Sequence, residues 1–129
     1  METRLVELKP EVLASIMGTG GNAIMPFARE IFVINVNVAG TSYCNEIDDI
    51  APKLIPQTLL KMRRDPNNEV DDYAIGLYYE STRIGWIPMD DNLVIARLMD
   101  AGKSFICKVV SVKNLGSWKK INVSVYMID

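Results

Sequence analysis

Histidine is absent from this 129-residue sequence. That removes acid–base catalysis by imidazole, Ser-His and Cys-His nucleophile pairs, and every zinc site that uses histidine. Cysteine is scarce: Cys44 and Cys107 stand far apart, each within or beside an apolar, β-prone run. Two cysteines cannot build a structural zinc site alone. A disulfide stays open to them, but free, part-buried thiols are the expectation for a cytosolic chain. Long apolar runs are missing too, and none approaches the roughly 18 residues of a membrane span. The opening METRLVELKPEV is too charged for a secretory signal, so a cytoplasmic protein without a membrane partner is expected.

Catalytic signatures are equally scarce. No G-x-S-x-G, paired-carboxylate constellation or phosphate-binding glycine loop occurs. Gly18-Thr19-Gly20-Gly21 follows no strand and precedes no lysine, so it reads as a linker. Asp65-x-Asn67-x-Glu69-x-Asp71 alternates oxygen ligands as a calcium loop does. It has Val70 where the sixth-position glycine belongs and Gly76 where the twelfth-position glutamate belongs, and turn chemistry explains the same residues. A non-catalytic protein with no cofactor and no metal is expected.

Excess positive charge is lacking as well. The net charge is −2 and the pI about 5.2, which argues against a strongly basic nucleic-acid surface. The charges are unevenly spread. Residues 1–96 carry eight Lys and Arg against fourteen Asp and Glu, whereas residues 97–128 carry six cations against Asp100 alone. A local basic face on an acidic protein and a lysine-rich, aggregation-resistant sheet edge both fit that distribution.

What is present is a series of short β-prone runs. Glu30 to Ala39 alternates, with Phe32, Ile34, Val36 and Val38 on one face and Asn35 and Asn37 on the other. Thr58 to Arg63, Tyr73 to Tyr79 and Arg83 to Ile87 make three more strands, and the last is closed by Pro88. Asp65-Pro66-Asn67-Asn68 and Glu80-Ser81-Thr82 supply the turns between them. Ser104 to Val112 and Trp118 to Ile128 flank a turn at Asn114-Leu115-Gly116-Ser117. One helix is expected after an N-cap at Asp90 or Asp91, ending at Gly102, with a solvated acidic loop or single helical turn at 45–50. The reading is mainly β: a small antiparallel barrel with one or two helices, occupying residues 29–129. Residues 1–28 are expected to form an N-terminal helix and linker, with Pro10 in the first helical turn and Gly18 ending it. Ile75, Leu77, Ile84 and Val109 are expected in the core, with Gly85 where a side chain would clash.

Arg64-x-Pro66-x-Asn68-x-x-Asp71-x-x-Ala74-Ile75, then Ile84-Gly85-Trp86-Ile87-Pro88, resembles the HIRAN domain. That domain occurs in bacterial stand-alone proteins and at the N-terminus of some Swi/Snf-type translocases. Val38 to Tyr43 looks like its first strand and turn, and Ala96 to Gly102 like its helix end, so the resemblance spans roughly residues 30 to 113. It implies an OB-like barrel of about six strands. In the fork-remodelling members it implies binding of the free 3′ end of single-stranded DNA. An aromatic pair after the first strand stacks on the end base there, and the motif aspartate bonds the 3′-hydroxyl. Tyr43 matches the first aromatic and Asp71 the aspartate. Ser42 stands in place of an arginine, Cys44 in place of the second tyrosine, and Val70 in place of a further stacking tyrosine.

Two functions follow from these residues. The first is a single-stranded DNA-binding module in which Tyr43 and Trp86 stack, Asp71 accepts from the terminal sugar, and Arg63, Arg64 and Arg83 hold phosphates. The second is a protein–protein adaptor on the same barrel that has lost its DNA site. The acidic pI and the missing aromatics favour the adaptor, while Tyr43 and Asp71 favour DNA.

Overall fold

In the computed structural model, which describes residues 29–129, six antiparallel strands form one curved sheet in the order β1-β6-β5-β2-β3-β4. They are β1 (Glu30–Asn37), β2 (Leu59–Arg64), β3 (Ile75–Tyr79), β4 (Thr82–Trp86), β5 (Ser104–Leu115) and β6 (Trp118–Ile128). Two helices accompany them, α1 (Ile47–Ile50) and α2 (Leu93–Asp100). The helix and linker expected at residues 1–28 lie outside the described residues.

The sheet curls so that its two edge strands meet. Beyond β1, Ala39 N–H donates to the Trp86 carbonyl (2.8 Å) and Trp86 N–H donates to the Ala39 carbonyl (2.9 Å). This bridge joins the continuation of β1 to β4, and the ladder between those strands extends no further. The result is an OB-like fold whose sheet stays open between β1 and β4 except at this one bridge. Gly85 permits it, because a Cβ there would fall on Val38 Cγ1 and lie 2.5 Å from the Ala39 carbonyl oxygen.

Inside the barrel the alternating apolar residues interdigitate. Ile75, Leu77, Ile84, Val109, Ile121, Val123 and Val125 are fully buried and form one continuous cluster. Both cysteines are free and buried, and desolvation pushes the Cys107 thiol up to about 12.

Four local expectations are corrected. A β-bulge between Phe32 and Ile34 breaks the alternation of β1, so Phe32 leaves the core face and stands 57% exposed, edge-on to the Tyr126 ring. The acidic stretch at 45–50 is more than a solvated cap: Ile47, Ile50 and Leu54 insert into the core while Asp48 and Asp49 face water. Strand β3 starts at Ile75 rather than Tyr73, because the Asp71 carboxylate holds the Tyr73 N–H in the preceding loop (2.9 Å). Helix α2 begins after Asn92, with Asp90 and Asp91 in a separate 3₁₀ turn. Its other end is as expected: Gly102 takes φ +96° and donates to the Met99 carbonyl, while Lys103 N–H reaches the Leu98 carbonyl.

Candidate nucleic-acid interface

The residues expected to act together fall into two groups. The first is the loop from Asp65 to Ala74 between β2 and β3. Asn68 organises it: its Oδ1 accepts the N–H groups of Val70 (2.9 Å) and Asp71 (3.0 Å), and its Nδ2 donates to Asp65 Oδ2 (3.2 Å). This is the local side-chain-to-backbone bonding that fits asparagine for turns.

Asp71 and Arg64 tie the loop to the rest of the barrel. Asp71 Oδ2 accepts from Asn92 Nδ2 at 2.6 Å, and Asn92 is only 2% exposed. Both carboxylate oxygens of Asp71 therefore have partners, Tyr73 N–H and the Asn92 amide. A carboxylate can accept about four hydrogen bonds, so half of its capacity stays open. The Arg64 guanidinium donates to the Ala74 carbonyl (2.7 Å), the Asp72 carbonyl (3.0 Å) and both oxygens of Asp100 (2.9 and 3.2 Å). Its fork joins β2, the loop and the end of α2. The expectation of a phosphate contact at Arg64 meets a guanidinium already engaged in four of its five N–H directions.

The second group lies on the outward face of β2, β3 and β4. Alternation turns Leu60, Met62, Ile75 and Leu77 inward and leaves Lys61, Arg63, Gly76 and Tyr78 facing out. Register aligns Lys61 with Tyr78 and Arg83, and Arg63 with Gly76 and Trp86. The bulge between Leu77 and Tyr78 is what returns both Arg83 and Trp86 to that face. The Arg83 guanidinium lies 4.4 Å from the centre of the Trp86 ring, and that of Arg63 lies 5.0 Å from Tyr78. Gly76 forms the floor between them, since a Cβ there would sit 3.0 Å from the Tyr78 ring and 3.6 Å from Trp86.

Tyr43 joins this face through the turn that follows β1. Gly40 adopts φ +74°, which a side chain tolerates poorly, and starts the 3₁₀ turn Thr41–Tyr43. Thr41 is buried and donates to the Lys119 carbonyl (3.1 Å), anchoring the turn to β6. A Cβ on Gly40 would be 3.2 Å from Trp86 Cδ1 and 3.7 Å from Tyr43 Cδ2, so the two rings flank one glycine. Tyr43 is 87% exposed. Among the described residues, Lys61, Arg63 and Arg83 enter no ion pair, whereas Arg64, Lys108 and Lys119 each meet a carboxylate.

Thus Tyr43, Trp86, Arg83 and Arg63 share one surface, while Asp71 lies in the neighbouring loop, which Arg64 at the end of β2 braces. Sequence reasoning missed Tyr78 and Gly76 as members of the face. The strand period was the available signal, because Lys61, Arg63, Gly76 and Tyr78 are same-face positions once β2 and β3 are paired. Among the described residues no cluster of three or more Cys, Asp and Glu could hold a metal, and no helix is long and apolar enough to cross a membrane.

No curated protein matches the chain. Two solved structures share its fold. A protein from Lactobacillus plantarum (structural-genomics target LpR91B) aligns over 79% of this chain and 98% of its own, with a TM-score of 0.71 and 20% identity. The HIRAN domain of human HLTF aligns over 78% of each chain, with a TM-score of 0.62 and 16% identity. The HIRAN domain family model matches residues 31–127, and the chain belongs to that family.

Proposed function

We propose that the outward face of β2, β3 and β4, together with the turn at Gly40–Tyr43, binds single-stranded DNA and receives its 3′ end beside Asp71. Membership in a family of DNA-binding modules supports nucleic-acid binding. The observation that carries the finer reading is the surface itself, where the exposed Tyr43 ring and the half-buried rings of Trp86 and Tyr78 alternate with cations that meet no carboxylate among the described residues. Rings stack on bases of any identity at about 1–3 kcal/mol each, and free cations track the backbone.

Roles follow from exposure and partners. Tyr43 offers an open ring face to an end base. Trp86 and Arg83 act as one unit: the ring holds the guanidinium plane, and the N–H edges stay available to a phosphate. Arg63 on Tyr78 repeats the arrangement one register step away, and Lys61 extends it. Asp71, oriented by Asn92 and Tyr73 N–H, keeps lone pairs for a terminal sugar hydroxyl. Arg64 supports the loop that presents Asp71. With Ser42, Cys44 and Val70 at three contact positions of the fork-remodelling members, the expected affinity is weak, on the order of micromolar or weaker, and salt-sensitive.

Fluorescence anisotropy with short labelled oligonucleotides tests this reading. A strand ending in a 3′-hydroxyl should bind more tightly than the same strand ending in a 3′-phosphate, and both more tightly than a blunt duplex. If no single strand binds at low salt, the reading fails and a protein–protein adaptor takes its place. Equal binding of the two ends would remove Asp71 from the site and leave the stacking face.

A further inference from the structure

A second cluster lies on the other half of the sheet, where β1, β6 and β5 present their outward faces. A recess of about 220 Å³ opens there, lined by Asn37, Ser111, Lys113, Lys120 and Asn122. Lys113 and Lys120 are directly opposite one another in the β5–β6 ladder. Like charges in that position repel, which destabilises a bare ladder. The other β5–β6 lysines with a described partner, Lys108 and Lys119, meet Glu30 and Asp48. Lys113 and Lys120 meet no carboxylate among the described residues.

The hydrogen-bond inventory of the recess is one-sided. Asn35 and Asn122 exchange amide bonds, Nδ2 to Oδ1 at 2.8 Å and 2.9 Å. Asn122 Nδ2 also donates to Asn37 Oδ1 at 2.9 Å, and Asn35 Nδ2 to Ser124 Oγ at 3.0 Å. These bonds engage the amide oxygen of each of the three asparagines once. They leave the Asn37 amino group, the Ser111 hydroxyl and two ammonium groups without a partner among the described residues. The bulge between Val109 and Ser111 is what sets Ser111 opposite Asn122 instead of one residue out of phase.

We propose that this recess is an anion site that takes a phosphate-type oxyanion, held between Lys113 and Lys120 with Asn37 Nδ2 and Ser111 Oγ as further donors. An oxyanion of that class matches four donors that line one recess, and it turns the like-charge repulsion of the ladder into attraction. The site is separate from the stacking face and stands whether or not that face binds DNA. A phosphate monoester or free phosphate and a nucleic-acid diester share the required chemistry.

The test is an NMR titration of the full chain, following backbone and side-chain amides, with orthophosphate in one arm and dimethyl phosphate in the other. Sodium chloride at matched ionic strength is the reference. The expected result is saturable shifts centred on Asn37, Ser111 and Asn122, in the orthophosphate arm for a monoester source or the dimethyl phosphate arm for a diester source. Lys113→Gln/Lys120→Gln should weaken that binding at least roughly tenfold, because both charge-assisted hydrogen bonds are lost. The double variant relieves repulsion, so its melting temperature without phosphate should match or exceed the parent's. Asn37→Asp, which puts a carboxylate among the donors, should abolish the saturable shifts, and Arg83→Gln should leave them intact. Shifts that never saturate, that chloride reproduces, or that persist in the double variant would overturn the proposal.

Discussion

The loop from Asp65 to Ala74 and the outward face of β2 to β4 are adjacent in the chain and rich in the same residue types, yet they treat their polar groups in opposite ways. In the loop nearly every named group is used internally. Arg64 holds two carbonyls and Asp100, Asn68 holds two N–H groups, and Asp71 holds Tyr73 N–H and Asn92. On the face, Lys61, Arg63 and Arg83 meet no carboxylate among the described residues, and the guanidinium groups of the two arginines lie over rings. A motif can thus be dense in chemistry and spend most of it on its own loop, while plainer residues beside it keep their polar groups toward solvent. Substitutions in the loop should act on stability, and substitutions on the face should act on binding.

The largest expected effect lies beneath both regions. Ile84→Asp places an unpaired charge in the core that both regions rest on and should cost more than about 4 kcal/mol, abolishing cooperative unfolding. A cooperative melt near the parent temperature would remove the common foundation assumed here. Next comes Arg64→Ala, which strips the buried Ala74 carbonyl of its side-chain donor and leaves Asp100 unpaired. A loss of roughly 2–3 kcal/mol in chemical denaturation is expected. Asp71→Asn weakens the bond that satisfies the buried Asn92 amide, and about 1–2 kcal/mol of stability should go with it. Any preference for a 3′-hydroxyl should disappear in the same variant.

Face variants sharpen the contrast from the other side. Trp86→Ala should cost about 1–3 kcal/mol in single-strand affinity through lost stacking. Arg83→Gln is the smallest change. Its side chain is exposed and stacks on Trp86 alone, so unfolding should move by less than about 0.5 kcal/mol. If Arg83→Gln unfolds the protein as readily as Arg64→Ala, the division between a building loop and a binding face collapses.

Much of this architecture was legible in the sequence. The alternation of Ile75, Leu77, Ile84 and Val109 placed them in the core, and Gly85 was marked as a point of close approach because backbone passes there. None of the three β-bulges was legible. An inserted residue changes the pairing without changing the local composition, so Phe32 read as sharing the face of Ile34 and Val36, and the return of Trp86 to the Arg83 face was invisible. The engagement of Arg64 was hidden for a different reason. Its partner Asp100 lies 36 residues away at the far end of α2, and only the packed fold brings a carboxylate to that guanidinium. Tyr78 was not assigned to the site because a strand tyrosine reads more readily as core than as surface until its neighbours in the sheet are known.

The most direct test of the central claim is the salt dependence of single-stranded DNA binding, measured as log K against log salt for the parent, Arg83→Gln and Arg64→Gln. A free guanidinium that meets one phosphate should contribute roughly one unit of charge to that slope, and one consumed by the protein should contribute none. The account predicts a slope flattened by about one phosphate in Arg83→Gln and unchanged in Arg64→Gln. The reverse pattern, flattening in Arg64→Gln with Arg83→Gln like the parent, would contradict it.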